Sequence, residues 1–208
     1  MPTSVGYFTI ADPYAAGLVV SFEDTRFGSI SDQKVIRRYP LLITRDLDWA
    51  REWLRSRRRG TERAGLLASS NANRLKPHGV FVKAKIEPEK WFLAEPEDVR
   101  SSDALEDAAT EFDVQGLELD WACLCWDANL RRSDHGWEML QFRGSQWQTV
   151  NDASRRSYIA NSYRVLLTRA RQGLVVFVPK GSEIDQTRSP KHYEGIFEFL
   201  LSCGFACV

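Results

Sequence analysis

From Tyr39 onward, short fully apolar runs alternate with segments in which apolar residues recur every three or four positions. A short apolar run bounded by turn residues is typical of a buried strand, and the longer periodic segments are typical of helices. The strands predicted in this way cover residues 41–43, 64–68, 110–114, 121–126 and 174–178. Two weaker candidates are residues 81–84 and an edge strand at 205–208. The run at 121–126 (WACLCW) has no polar interruption, which favours a central parallel strand covered on both faces.

Three helices are predicted. In the first, Leu47, Ala50, Trp53 and Leu54 recur at helical spacing, and Gly60 is expected to end it. The second covers residues 155–171, with Gly173 as its stop, and the third covers 191–203. Residues 130–150 are polar with scattered tryptophans and predict a hairpin or an insertion. Residues 1–38 form a poorly defined connecting segment with one strand candidate at 17–22.

Strands that alternate with helices predict an α/β fold with an open, mostly parallel sheet. Ligands in such sheets bind beyond the carboxyl ends of the strands. The turns after residues 68 and 114, and the turn before residue 174, are therefore the places to search for a site.

Composition narrows the functional classes. The 208 residues carry 28 basic and 28 acidic side chains, so any basic surface for nucleic acid must be local. Four cysteines predict reduced core thiols, and the three histidines lack metal-ligand spacing, so no metal site is expected. Without a leader-like start or an apolar run approaching about 18 residues, a soluble cytoplasmic chain is expected.

A phosphate loop is absent from the sequence. No GxxxxGK[ST] pattern occurs, so nothing in these residues predicts the ring of backbone N–H groups that cradles phosphates. Basic residues do gather near the end of the predicted second helix, at Arg164, Arg169 and Arg171. Their ordinary interpretation is a favourable interaction of cations with a helix carboxyl terminus.

Two phrases resemble motifs of superfamily-one helicases. Residues 168–171 (TRAR), followed by a predicted strand, are similar to motif VI, and residues 111–118 (EFDVQGLE) are similar to motif V. Together with residues 39–53, 65–75, 91–126 and 161–181, they resemble a bacterial family known as the Schlafen group-three-like DNA/RNA helicase domain. The resemblance implies that residues 39–208 are the second RecA-like domain of a helicase motor, without its own phosphate loop.

The resemblance also implies roles for individual residues. Arg169 would be the arginine finger that reaches the γ-phosphate of ATP bound on another domain. The implied nucleotide-contacting positions are Gln115, Gly116, Glu118 and Arg171. The expected contacts to a nucleic-acid backbone are Ser69, Ser70, Arg74 and Thr110. For the two serines, capping of the following helix is an equally good interpretation.

A motor of this type needs a partner. ATP and Mg²⁺ are expected only when a separate phosphate-loop domain, upstream or on another protein, completes the site, so the chain alone is not expected to hydrolyse ATP. Single-stranded DNA or RNA is the expected nucleic-acid ligand, and no membrane partner is expected. One alternative is a non-catalytic binding module for nucleic acid or protein. Another is a nuclease, but its acidic candidates Asp103, Glu106 and Asp107 look like a solvated helix start.

Overall fold

The computed structural model describes residues 39–208 and contains two sheets. The strands of the larger one are β1 (Leu41–Thr44), β2 (Ala64–Ala68), β3 (Ala108–Ala109), β4 (Leu119–Cys125), β8 (Ala170–Phe177) and β9 (Ala206–Cys207). They lie in the order β3-β2-β4-β8-β1-β9, and every neighbouring pair is parallel. The helices are α1 (Leu47–Arg57), α2 (Pro88–Leu93), α3 (Ala153–Leu167) and α4 (Lys191–Ser202). This confirms the predicted α/β class with a parallel sheet.

The six-stranded sheet is covered on both faces. Alternate residues of β4 point to opposite sides, so that Ala122 and Leu124 pack with α3 and α4, whereas Cys123 and Cys125 pack with α1. The two sides form two separate apolar clusters. This double cover explains why the β4 sequence is continuously apolar, as predicted for a central strand.

The first helix follows its sequence pattern closely. Asp46 caps it by accepting hydrogen bonds from the backbone N–H groups of Asp48 and Trp49, which a helix start otherwise leaves unpaired. The four residues on its predicted inner face are buried: Leu47, Ala50, Trp53 and Leu54. The helix ends at Arg57, before Gly60.

A second, antiparallel sheet of three strands occupies the region predicted as a hairpin or insertion. Its strands are β5 (Leu130–Ser133), β6 (Gly136–Arg143) and β7 (Gln146–Thr149). Leu130 and Met139 attach it to the cluster beneath α3 and α4. Gly195 of α4 lets that helix approach β5, because a Cβ there would lie 2.3 Å from the carbonyl oxygen of Arg132.

The predicted second helix is too long. It ends at Leu167, Thr168 lies in a turn, and Ala170 already belongs to β8, so Arg169 and Arg171 are not helical. Gly173 does not stop a helix either. It lies inside β8, where a Cβ would sit 2.6 Å from Cζ3 of Trp121. The close approach of the indole, which the chain pattern does not reveal, requires this glycine.

Two predicted strands are absent from the described residues. Residues 111–116 form consecutive turns, and the strand that precedes them is β3. Residues 82–84 form a turn that follows a 3₁₀ helix, Asn73–His78. The strand candidate at 17–22 lies outside the described residues. The edge strand predicted at the carboxyl terminus is confirmed as β9, which pairs with β1.

The tryptophans and cysteines singled out in the sequence can now be placed in the fold. Trp91 is buried, Trp137 stacks on Trp126, and the indole N–H of Trp147 donates to the carbonyl of Thr187, so these tryptophans pack inside the fold. All four cysteines are free thiols, of which three are buried and Cys207 is exposed. Among residues 39–208, no helix is long and apolar enough to cross a membrane.

Candidate functional site at the edges of the parallel sheet

The two motif-like segments meet at the amino edge of the six-stranded sheet. Arg169 immediately precedes β8, and the turn at residues 115–118 immediately precedes β4. Because β4 and β8 are neighbours, the segments that lead into these two strands are hydrogen-bonded to each other. The backbone N–H of Leu119 donates to the carbonyl of Arg169 at 2.8 Å. The guanidinium Nη1 of Arg169 also donates to the carbonyl of Leu117 at 3.3 Å.

Backbone carbonyls hold the Arg169 guanidinium in place. Besides the bond to Leu117, its Nε donates to the carbonyl of Val165 in the last turn of α3 at 3.1 Å. The Val165 carbonyl lies at a helix end, where a cation is favoured, and it also accepts from the backbone N–H and the hydroxyl of Thr168. A guanidinium has five N–H donors, and Arg169 forms no ion pair with any carboxylate of residues 39–208. The half-buried side chain therefore has donors that no described residue of the domain uses.

The other nucleotide candidates share this edge. Gln115, Gly116 and Glu118 are exposed in the turn whose end contacts Arg169. Gly116 has a φ of 77°, a left-handed conformation that glycine adopts without the clash a side chain would cause. Arg171 is exposed near the start of β8. The geometry thus brings the four candidates to one edge of the sheet, around Arg169.

The nucleic-acid candidates lie at the opposite, carboxyl edge. Ser69 is fully buried after β2, its hydroxyl 3.4 Å from that of Ser162. Ser70 donates to Glu111 through both its backbone N–H, at 2.8 Å, and its hydroxyl, at 2.6 Å. The 3₁₀ helix that follows starts after Ala72 without a side-chain cap, so neither serine caps it.

Arg74 and Thr110 are likewise held by carboxylates. Arg74 forms an ion pair with Asp185 at 2.6 Å, and its guanidinium lies 5.0 Å from the ring centre of Phe142. The Thr110 hydroxyl donates to Asp113 at 2.6 Å. The carboxyl edge therefore gathers these candidates as a network in which each residue has a partner within the domain, and Nε of Arg74 is a buried donor without one.

A buried carboxylate, which the sequence interpretation missed, organises this edge. Asp127 follows β4 and accepts hydrogen bonds from the backbone N–H groups of Arg74 and Ala128 and from the hydroxyl of Tyr193. Burial raises the pKa of Asp127 to about 6, and the donated hydrogen bonds only partly offset that effect. Its position directly after the central strand, where ligand-binding turns concentrate, was the available signal.

Of the acidic residues considered for a nuclease site, Asp103 serves the fold instead. Asp103 is buried and accepts from Nη1 of Arg63 at 3.0 Å and from the backbone N–H of Ala64 at 2.8 Å. The prediction of a solvated helix start is wrong for this residue. No group of three or more metal-ligating side chains occurs within the part of the chain that the structure describes.

A comparison with models of protein families shows which family the chain belongs to. The family model described as Schlafen group 3, DNA/RNA helicase domain matches residues 18–180, well over half of the chain. The chain belongs to this family. No curated protein and no solved structure gives a match. In this Schlafen group 3 helicase domain, the match includes both motif-like segments and the neighbouring parallel strands β4 and β8 into which they lead. Its parallel sheet flanked by helices is consistent with the RecA-like class.

Proposed function

We propose that this chain is the second motor domain of an ATP-dependent DNA or RNA helicase and that Arg169 is its arginine finger. The observation that carries the proposal is the pairing of Arg169 with the turn at residues 115–118 across β4 and β8. Family membership supports a helicase-related role, and the geometry supplies a defined cation beside an exposed turn.

The chemistry that Arg169 can perform follows from its contacts. Carbonyls of Val165 and Leu117 fix the guanidinium, so little side-chain freedom remains to be lost when a phosphate approaches. Its unused donors can bind the oxygens of a γ-phosphoryl group, whose negative charge is spread over those oxygens as the bond to the leaving group breaks. Loss of such a finger slows other nucleotide hydrolases by roughly 10³–10⁵.

The same edge is suited to contact a nucleotide but not to hold one alone. Exposed Gln115 and Glu118 offer hydrogen-bonding groups, and Gly116 allows the close approach of a phosphate or sugar to the backbone. No GxxxxGK[ST] loop lies within the 208 residues. We therefore expect a second domain, with its own phosphate loop, to bind ATP and Mg²⁺, and the present chain to complete that site from the opposite side.

The experiment is a steady-state assay of phosphate release with and without single-stranded DNA or RNA. The chain alone is expected to show no turnover above background. Assembled with the domain that carries the phosphate loop, it should hydrolyse ATP, and Arg169→Ala should reduce kcat by about 10³ or more. Arg169→Lys should also fail, because an ammonium cannot reproduce the planar fork. Arg59→Ala removes an exposed arginine elsewhere and serves as the matched control.

Two results would contradict the proposal. Robust turnover by the purified chain alone would show that it holds ATP without another domain. An assembled motor in which Arg169→Ala matches the Arg59→Ala control would remove the assigned role of Arg169. Circular dichroism of each variant separates these outcomes from misfolding, since Arg169 also satisfies two backbone carbonyls.

A non-catalytic module derived from a helicase domain is the second candidate. The absence of a phosphate-loop pattern from these residues favours it. Under this alternative, nucleic acid or a partner protein would bind to the chain, and Arg169 would act only as a cap for the carboxyl end of α3. The assembled-motor assay distinguishes the two functions, because only the first predicts a large loss of turnover in Arg169→Ala.

A further inference from the structure

A groove of about 230 Å³ lies between α3 and the second sheet. Arg155, Tyr158 and Ile159 line it from α3, where spacings of three and four residues place them on one helix face. Gln141 and Arg143 line it from β6, where a spacing of two places them on one strand face. The groove therefore has two walls, each presenting an arginine.

The charge of the groove is positive. Arg143 and Arg155 line it, and no carboxylate does. The guanidinium of Arg143 donates to Gln141, and neither arginine forms an ion pair within residues 39–208. Two carboxylates lie near the groove, and each already accepts a hydrogen bond. Asp152 caps α3 by accepting from the backbone N–H of Arg155, and Glu111 accepts a hydrogen bond from the hydroxyl of Tyr158.

An exposed aromatic pair stands at the groove. The ring of Phe112 stacks on that of Tyr158, with centroids 6.0 Å apart and an interplanar angle of 25°. Phe112 is 57% exposed, so its ring is accessible from solvent. The Tyr158 hydroxyl donates to Glu111 at 2.6 Å, which fixes the ring. The pair is thus a rigid stacking surface beside two available cations.

We propose that this groove binds single-stranded nucleic acid. Bases would stack on the Phe112–Tyr158 pair, and Arg143 and Arg155 would contact phosphates. This combination of aromatic surface and unpaired cations is the one that proteins use for single strands. The amide groups of Asn71 and Gln141, which also line the groove, can bind base edges. The inference rests on the proposed helicase role for the choice of nucleic acid as the ligand.

This location differs from the one that the sequence motifs imply. The hydroxyls of Ser69, Ser70 and Thr110 have partners within the domain, and Arg74 is ion-paired with Asp185. Neither Arg143 nor Arg155 has a carboxylate partner within residues 39–208. An acidic peptide would also be attracted to the two arginines. It would leave the stacked rings without a partner of matching shape, so the nucleic acid is the better fit.

The test is fluorescence anisotropy of labelled oligodeoxythymidylate and oligouridylate of about 12 nucleotides with the full chain. Phe112→Ala should weaken binding roughly tenfold, the loss expected for one stacked base. Its control is Phe81→Ala, which removes another ring that is 51% exposed but, unlike Phe112, does not stack on a residue that lines the groove. Thermal melts should match for both variants, because each side chain is exposed.

A second pair of variants addresses the cations. Arg155→Gln should weaken binding and reduce the slope of log affinity against log salt by roughly 0.7, the value for one lost phosphate contact on a single strand. Arg59→Gln, the matched control, should change neither quantity. Phe112→Ala should leave the salt slope unchanged, because stacking releases no counterions.

Four results would overturn the proposal. They are no binding by the wild-type chain, unchanged affinity in both groove variants, equal losses in the controls, and displacement of the oligonucleotide by polyglutamate at equal concentration. The outcome is independent of Arg169. If oligonucleotides bind in the groove but Arg169→Ala leaves turnover of the assembled motor unchanged, the proposed function fails and this inference stands.

Discussion

Replacing Asp127 by asparagine isolates the energetic effect of one buried charge. In the wild-type chain, three donors face this carboxylate: the N–H groups of Arg74 and Ala128, and the hydroxyl of Tyr193. Its side chain has no exposure to solvent. Asparagine has nearly the same shape but does not ionise, so comparison of the two proteins across pH reports on the ionisation of Asp127.

The magnitude follows from the pKa. Burial raises the pKa of Asp127 from 3.8 to about 6, which is about 3 kcal/mol of differential stability at roughly 1.4 kcal/mol per pKa unit. The folded chain binds this proton more tightly than the unfolded chain does. The contribution of Asp127 to stability is therefore greatest below about pH 4 and is lost as the pH rises from about 4 to about 6.

The assay is urea denaturation followed by tryptophan fluorescence at a series of pH values. The free energy of unfolding of the wild type, minus that of Asp127→Asn, should fall by about 3 kcal/mol between about pH 3 and pH 7. Other acidic groups are common to both proteins and cancel in the difference. A difference that stays constant, or that rises with pH, would refute the reasoning, because it would mean that the three donors outweigh burial.

Other predictions concern packing and charge. Asp103→Ala should lower the free energy of unfolding by about 3–5 kcal/mol, because it leaves buried donors unpaired, whereas exposed Glu106→Ala should change it by less than about 0.5 kcal/mol in the same urea titration. Gly173→Ala should cost about 1–3 kcal/mol, seen as a lower melting temperature, because its Cβ would meet the Trp121 ring; an unchanged melt would contradict the described contact. Burial and, to a lesser degree, a neighbouring arginine lower the pKa of His192 to about 4, so NMR should show this ring titrating near pH 4. Its contribution to stability is then complete above about pH 6.5 and lost as the pH falls towards 4.

The sequence alone determined the elements whose apolar pattern is local and strong. Strands β1, β2 and β4 and the helices α1 and α4 were predicted close to their observed positions. Each buries a face that its own residue spacing specifies, so no knowledge of a neighbour is needed. The parallel α/β class followed from their alternation along the chain.

Prediction was less successful where a local pattern fits two structures. The segment around Arg169 has helical spacing up to Leu167, and the mostly polar residues 168–172 that follow fit either the end of a helix or the start of a strand. Tertiary pairing decided the matter, because residues from Ala170 onward hydrogen-bond to β4 and β1. Similarly, the alternating residues 110–114 form turns, because β3 provides only two residues to pair with β2.

The site depended still more on the tertiary structure. The sequence supplied Arg169 and the turn at residues 115–118, but their contact exists only because β4 and β8 are adjacent in the sheet. Burial of Asp103 and Asp127 and the groove beside Tyr158 also join residues far apart in the chain. Strand order and burial arise from packing between distant segments, and a local pattern carries no record of which segments those are.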